Sequence, residues 1–366
     1  MLMLLGVVLH SALPYTEENS WLIADPHRFV FFDDLTRFIH LFRMPAFFLI
    51  AGYFSVLLLR KRGSTEFMRE RLRRIGIPLL ATLFTLNLLQ LAWLTRGSDA
   101  PVVAALSAAW HDGHWVGHLW FLSYLLGFCL VATLFAPLLR RSAFPAGMQP
   151  QRRVFWLVAL GAMACVAPRL LWHWFPQLTN LRLFGNIDPV EWLGYLPYFV
   201  AGMLLQGDNE DLMEFSGWRL HGVLLAAAAA GATMYFATTR YHIIATLSGC
   251  VLSWMLVRFA FAASRRWCNQ TSPAWRYLSD ASYSIYLFHH LVVIVVASLL
   301  IPLDWNVAAK FLLVLCLSAG LSLAAHHFLV LRMPWLRYLF NGKRMRDQGG
   351  RAPAALVTTS SAPRSP

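Results

Sequence analysis

Residues 38–62 read FIHLFRMPAFFLIAGYFSVLLLRKR. The run from Phe38 to Leu59 is almost wholly apolar and stops at Arg60, Lys61 and Arg62. About 20 residues at 1.5 Å rise each span the roughly 30 Å of a bilayer's hydrocarbon. A lone segment in lipid must satisfy its backbone polar groups internally, so it forms a helix. The basic stop marks the end that stays in the cytoplasm. This one stretch therefore argues for a membrane-spanning helix, and it carries two ionisable residues, His40 and Arg43, inside the span.

Working outward, the pattern recurs. Apolar spans fall at 1–14, 38–59, 75–94, 117–139, 154–174, 190–206, 219–238, 241–262, 281–301 and 307–331. The expected architecture is an all-α, polytopic membrane protein with about ten transmembrane helices. The 190–206 span is short and contains Gly194, Pro197 and Gly202, so a kinked or re-entrant segment is expected there. Composition agrees: of 366 residues 58% are hydrophobic and 13% charged, against roughly 25% charged in soluble domains. The net charge of +13 does not point to nucleic acid, because the cations lie between apolar runs. A disordered chain, a disulfide-rich module and an ordinary cytosolic enzyme are excluded by the same numbers.

Basic residues alternate by loop. Arg60–Arg62 with Arg69, Arg71, Arg73 and Arg74 follow the second span, and Arg140, Arg141, Arg152 and Arg153 follow the fourth. Arg265, Arg266 and Arg276 follow the eighth, and Arg332, Arg337, Lys343, Arg344 and Arg346 the last. The positive-inside rule makes these loops cytoplasmic, in a multi-pass membrane protein with its C-terminus inside. Residues 1–340 read as one transmembrane domain and 341–366 as a disordered, basic cytoplasmic tail. The first span has no basic flank and only nine residues before His10, so it is expected to be truncated, with the native helix beginning upstream. Mass spectrometry of the native N-terminus tests this. The five cysteines form no CxxC pair and most sit in apolar runs, where neither a disulfide nor a thiolate metal site is expected.

An ionisable side chain at membrane depth is costly and marks a functional site by default. His10 lies toward the outer end of the first span. His40 and Arg43 are three apart and share a helical face. His118 opens HLWFL, and His289 and His290 end SYSIYLFHH. Plainer readings stand beside these. A histidine near a span end can face headgroups, and Arg43 can be a structural charge bonded to carbonyls where Pro45 breaks the helix ladder. The cations after the second span can be topology determinants alone. His111, His114 and His118 have the spacing of one helix face, but Gly113 and Gly117 weaken that helix, and no metal site is expected. Walker, GxGxxG, HExxH and GxSxG motifs are absent.

Taken in order, six segments carry a resemblance: His10 in the first span, FIHLFRMPAFFLIAGYFS (38–55), RLRRIGIPLL (71–80), HLWFL (118–122), ASYSIYLFHH (281–290) and LRMPWLRYLF (331–340). With them the chain resembles the acyltransferase 3 family of integral membrane acyltransferases, and within it the branch linked with succinylation of periplasmic glucans. The resemblance implies ten helices and transfer of an acyl group, with no further cofactor, from a cytoplasmic acyl-CoA-type donor to an extracytoplasmic hydroxyl. It implies a first-helix signature of Arg, ten residues, then His. His10 matches the histidine, and the arginine would precede Met1. The family's paired arginines match Arg71 and Arg74. A glutamate frequent in the family's last helix is replaced by His326 or His327, to which no role is given.

Acyl transfer needs a base for the hydroxyl proton and a group for the developing oxyanion. Histidine, with an ordinary pKa of about 6.5, suits the first task. His10 is the candidate base, with Arg43 and His118 as the other candidate catalytic residues. Arg71 and Arg74 are candidate seats for the donor's phosphates. His40, Tyr283 and His289 are further donor or substrate contacts. Arg43 also suits a succinyl group, whose free carboxylate needs a buried partner that an acetyl group does not. The alternatives are an O-acetyltransferase of another envelope glycan, a transporter or flippase, and a structural partner of a glucan synthase.

Overall fold

The computed structural model describes residues 2–18, 21–96, 102–111, 115–135, 144–145, 147–175, 177, 181, 183, 186–217, 219–237, 241–267 and 272–343. Helix α1 (Leu2–Ala12) is followed by the 33-residue α2 (Val30–Arg62). A run from Ser64 to Leu94 joins α3 (Ser64–Arg71), α4 (Ile77–Thr82) and α5 (Leu88–Leu94) through two wider turns at Leu72–Gly76 and Leu83–Asn87. Then come α6 (Val102–His111), α7 (Trp120–Leu134), α8 (Pro150–Trp174), α9 (Pro189–Leu205) and α10 (Asn209–Phe215). The last five are α11 (Leu220–Ala237), α12 (His242–Trp267), α13 (Pro273–Leu300), α14 (Val307–Ala324) and α15 (Pro334–Asn341).

Each of the ten expected spans coincides with helix. Eight stretches among the described residues are long and apolar enough to cross a membrane, and Leu2–Tyr15 is a shorter apolar helix. The protein is an all-α polytopic membrane protein. Helix α1 packs among α2, α13 and α14, while α9 and α12 pack against α2, with α8 on α9 and α12 and α11 against α12.

Pro45 lies inside α2 without ending it. Proline has no N–H, so the carbonyl of Leu41, four residues back, loses its helical partner. The Ser253 hydroxyl donates to that carbonyl at 2.6 Å, and Ser253 is itself bonded to the Tyr198 hydroxyl at 2.8 Å. Arg43 is therefore not the group that satisfies the gap. The 190–206 span is one continuous helix, α9, not re-entrant, although Pro197 lies within it. Its Gly202 serves the crossing with α2. A Cβ there would collide with the Leu49 carbonyl, and one on Gly52 with the Phe199 carbonyl. Reciprocal glycines let two backbones touch, the usual device for helix association in lipid, where burial alone gives little drive.

At the basic end the packed structure runs on through Lys343. Helix α15 ends at Asn341, which accepts from Ser284 at 3.0 Å, and Gly342 takes the left-handed conformation (φ 59°) that ends it. A Cβ at Gly342 would sit 2.7 Å from the Arg74 Cα. Residues 344–366, most of the expected tail, lie outside the described residues.

Candidate active site: an imidazole chamber

Four histidines from three separate segments meet near the middle of the bundle. His10 comes from the last turn of α1, His118 from the short turn Gly117–Leu119, and His289 and His290 from α13. The His10 ring lies 5.1 Å from His289, 4.9 Å from His290 and 6.3 Å from His118, centroid to centroid. His118 stacks on His290 at 4.3 Å with 12° between planes.

Each ring is placed by identifiable contacts. Gly117 has φ +54°, which lets the chain turn sharply just before His118. The Asn87 amide donates to the carbonyls of Trp115 and Val116, both at 3.1 Å, and fixes that turn. The Tyr286 hydroxyl donates to the His118 carbonyl at 2.7 Å. His289 Nδ1 faces the backbone carbonyls of Ile285 and Tyr286 at 3.0 and 2.8 Å, so it carries the proton and Nε2 is left as a bare acceptor. His290 Nδ1 is 2.7 Å from Gln90 Oε1, which assigns its tautomer in the same way.

Arg43 closes the chamber from α2. It is only 8% exposed, and its Nε has no hydrogen-bond partner among the described residues. No carboxylate pairs with it there. Gly6 on α1 makes room for it: a Cβ at that position would be 2.5 Å from an Arg43 terminal nitrogen. Also unpartnered among the described residues are His10 Nδ1, both nitrogens of His118 and His289 Nε2. A buried polar atom left unpaired costs about 1–3 kcal/mol, and more if charged. Several such atoms around one cavity make it the candidate binding site of the fold. The space bordered by His10, Arg43 and His118, and walled by Met3, His40, Met44, Phe47, Trp120, Phe121 and Tyr286 as well, admits ≈ 40 Å³ to a water-sized sphere. That holds a few waters at most.

The expected residues divide into two groups. His10, Arg43, His118 and His289 meet here, and His40 sits at the rim, exposed on its outer side. Arg71, Arg74 and Tyr283 stand at the basic end. From Arg43 to Arg60 along α2 is about 26 Å at helical rise. At that end Glu70 draws in Arg62 (3.5 Å), Arg73 (2.6 Å) and Arg74. Arg71 lies over the Phe67 ring at 5.1 Å, with its Nε unpartnered among the described residues. The Tyr283 hydroxyl donates to the Arg74 carbonyl at 3.2 Å, and its ring stacks toward Tyr286, 6.5 Å away. Through these two tyrosines the basic end is joined to His118.

His290, named with His289 among the ionisable residues but given no role, lies beside His10 and His118, and Gln90 and Tyr286, which were not candidates, contact these rings. Tyr286 is three and four residues before the two histidines, a spacing that shares their face. Gln90 is a polar residue within an apolar span, a signal of the same kind as His10. The HDGHWVGH spacing cannot be followed, because Asp112, Gly113 and His114 lie outside the described residues. Among the described residues no three His, Cys, Asp or Glu side chains converge as metal ligands. A larger space of ≈ 570 Å³ between α8, α11 and α12 has apolar walls and contains none of these imidazoles.

A polytopic helical bundle with imidazoles and an arginine buried together inside it defines a membrane protein with a candidate site, and comparison with known proteins says of which kind. The acyltransferase domain model matches residues 1–327, and the chain belongs to the acyltransferase 3 family. It is a membrane acyltransferase. Among curated proteins it is similar to "Glucans biosynthesis protein C" from Salmonella paratyphi A, Salmonella agona (strain SL483) and Salmonella dublin. Each is 29% identical over 371 residues, covering 96% of this chain and 94% of the relative. No solved structure matches the chain significantly.

Proposed function

We propose that this protein transfers a succinyl group from a cytoplasmic acyl-CoA-type thioester to hydroxyls of a periplasmic glucan, across a bacterial inner membrane. The observation that carries the reading is the buried Arg43 guanidinium, without a carboxylate partner among the described residues, in one cavity wall with His10. Burying an unpaired cation costs several kcal/mol, which a substrate carboxylate would offset. The name shared by the curated relatives supports a glucan as acceptor.

In this mechanism His10 takes the proton from a glucan hydroxyl as the oxygen attacks the thioester carbonyl. The new C–O bond forms, the C–S bond breaks, and the departing thiolate receives the proton from His10. His118 and His289 flank the reacting centre, and Arg43 holds the distal carboxylate. Arg71 seats donor phosphates at the basic mouth, from which the thioester arm threads inward. Alternating loop charge supports a cytoplasmic C-terminus; a reporter fused after Lys343 tests it.

Purified protein in detergent, given succinyl-CoA and a soluble gluco-oligosaccharide, should release free CoA and form a glucan ester. Absence of CoA release would sink the transferase reading and favour a transporter. Equal rates with acetyl-CoA and succinyl-CoA would remove the succinyl assignment while leaving the transferase in place.

A further inference from the structure

Trp21 stands over the chamber at the end away from the basic loops. Its ring centroid is 5.5 Å from that of His290, edge-on, and 6.3 Å from that of His10. With Ile23 it packs against the cluster of Val293, Val296, Ala297, Leu300 and Val314, and it stays partly exposed.

The chain around Trp21 is held unusually firmly for a loop. Asp25 and Lys310 are both buried and pair at 2.7 Å, and Lys310 also donates to the Ile301 carbonyl at 3.3 Å. The Asp25 N–H donates to Pro14 at 2.9 Å, and the Phe29 N–H to Tyr15 at 3.0 Å. On the other flank the Asp33 carboxylate accepts from the backbone of Glu17 (2.7 Å) and Glu18 (3.2 Å). Fixing a loop in this way costs conformational entropy, and a buried ion pair by itself adds little net stability. These ties on either side of Trp21 set its indole beside the imidazoles. Binding by a group already in place avoids the ordering cost at the moment of binding.

We propose that Trp21 is the platform on which a pyranose ring of the acceptor stacks, presenting a hydroxyl to His10. The inference rests on the transferase reading above. A flat aromatic face with a polar N–H at its edge suits a sugar, which offers a C–H face and hydroxyls at its rim. The donor approaches from the other end, so the platform should act on acceptor binding alone.

The test uses the full chain in detergent. In a donor-free titration followed by saturation-transfer difference NMR, a soluble gluco-oligosaccharide should bind the wild type and the His10→Ala variant. Binding should be lost or weakened about three- to thirtyfold in Trp21→Ala, and largely kept in Trp21→Phe, which preserves a ring. In turnover the Trp21→Ala variant should raise the acceptor KM by the same factor with the donor KM unchanged. Unaltered oligosaccharide binding in Trp21→Ala, or no binding to the wild type, overturns the platform. So does a Trp21→Phe variant as impaired as Trp21→Ala. Trp21-dependent binding without CoA release in the wild type would retain the platform and reject the transferase reading. CoA release with an unchanged acceptor KM in Trp21→Ala would do the reverse.

Discussion

Glu70 at the basic end gathers Arg62, Arg73 and Arg74, whereas Arg43 in the chamber meets no carboxylate among the described residues. Both regions hold arginines on apolar helices, yet their charges are treated in opposite ways. A paired guanidinium is spent on holding two elements together. An unpaired, buried one is tolerated only where something else supplies the counter-charge. Lys310 with Asp25 gives a third point of reference, a buried cation fully paired inside the protein. The difference also separates the three arginines of the RLRR motif: Arg73 and Arg74 are committed to Glu70, and Arg71 is the one left available.

This contrast can be broken at several points. The largest effect is expected at His10. His10→Ala should cut kcat by about 10²–10⁴-fold with unchanged membrane insertion, measured as CoA release and by detergent extraction. Retention of near-full turnover would take His10 out of the base role. Next, Asp25→Asn makes Lys310 an unpaired buried cation with no ligand to receive. It should lose about 3–5 kcal/mol of stability, seen as a fall in Tm. An unchanged Tm would show that an orphaned cation costs little in this fold, and Arg43 would then need no carboxylate ligand.

Arg43→Met should lower kcat/KM for succinyl transfer by about 10²-fold and acetyl transfer far less. An equal loss for both would make Arg43 an oxyanion holder. The smallest effect sharpens the comparison within the basic end. Arg71→Ala should raise the donor KM about tenfold and leave the acceptor KM alone. Arg74→Ala, which breaks the Glu70 cluster, should act mainly on Tm. If the two variants shift donor KM alike, the distinction between paired and free arginine does not hold there.

Much of the site was legible because charge in an apolar run is conspicuous. His10, Arg43 and His118 each stand out on cost alone, and all three reach the chamber. His289 could equally have faced headgroups, but the structure buries it completely against His10. His290 was harder. Neighbouring residues on a helix point about 100° apart, so only the place of α1 between α2 and α13 shows that both rings can flank the same imidazole. Pro45 misled for a related reason. The missing N–H was evident, but the hydroxyl that takes up the freed carbonyl comes from Ser253, 212 residues away in sequence.

Hydropathy and loop charge, read along the chain, determined the all-helical, membrane-spanning class, the span positions and the candidate polar residues. These follow from a solvent that forbids unpaired backbone and charge, a constraint felt residue by residue. Only the tertiary structure decided which charges are paired and which are left open. Pairing depends on side chains that are remote in sequence and brought together by helix packing: Asp25 with Lys310, Ser253 with Leu41, and Arg43 with no carboxylate among the described residues.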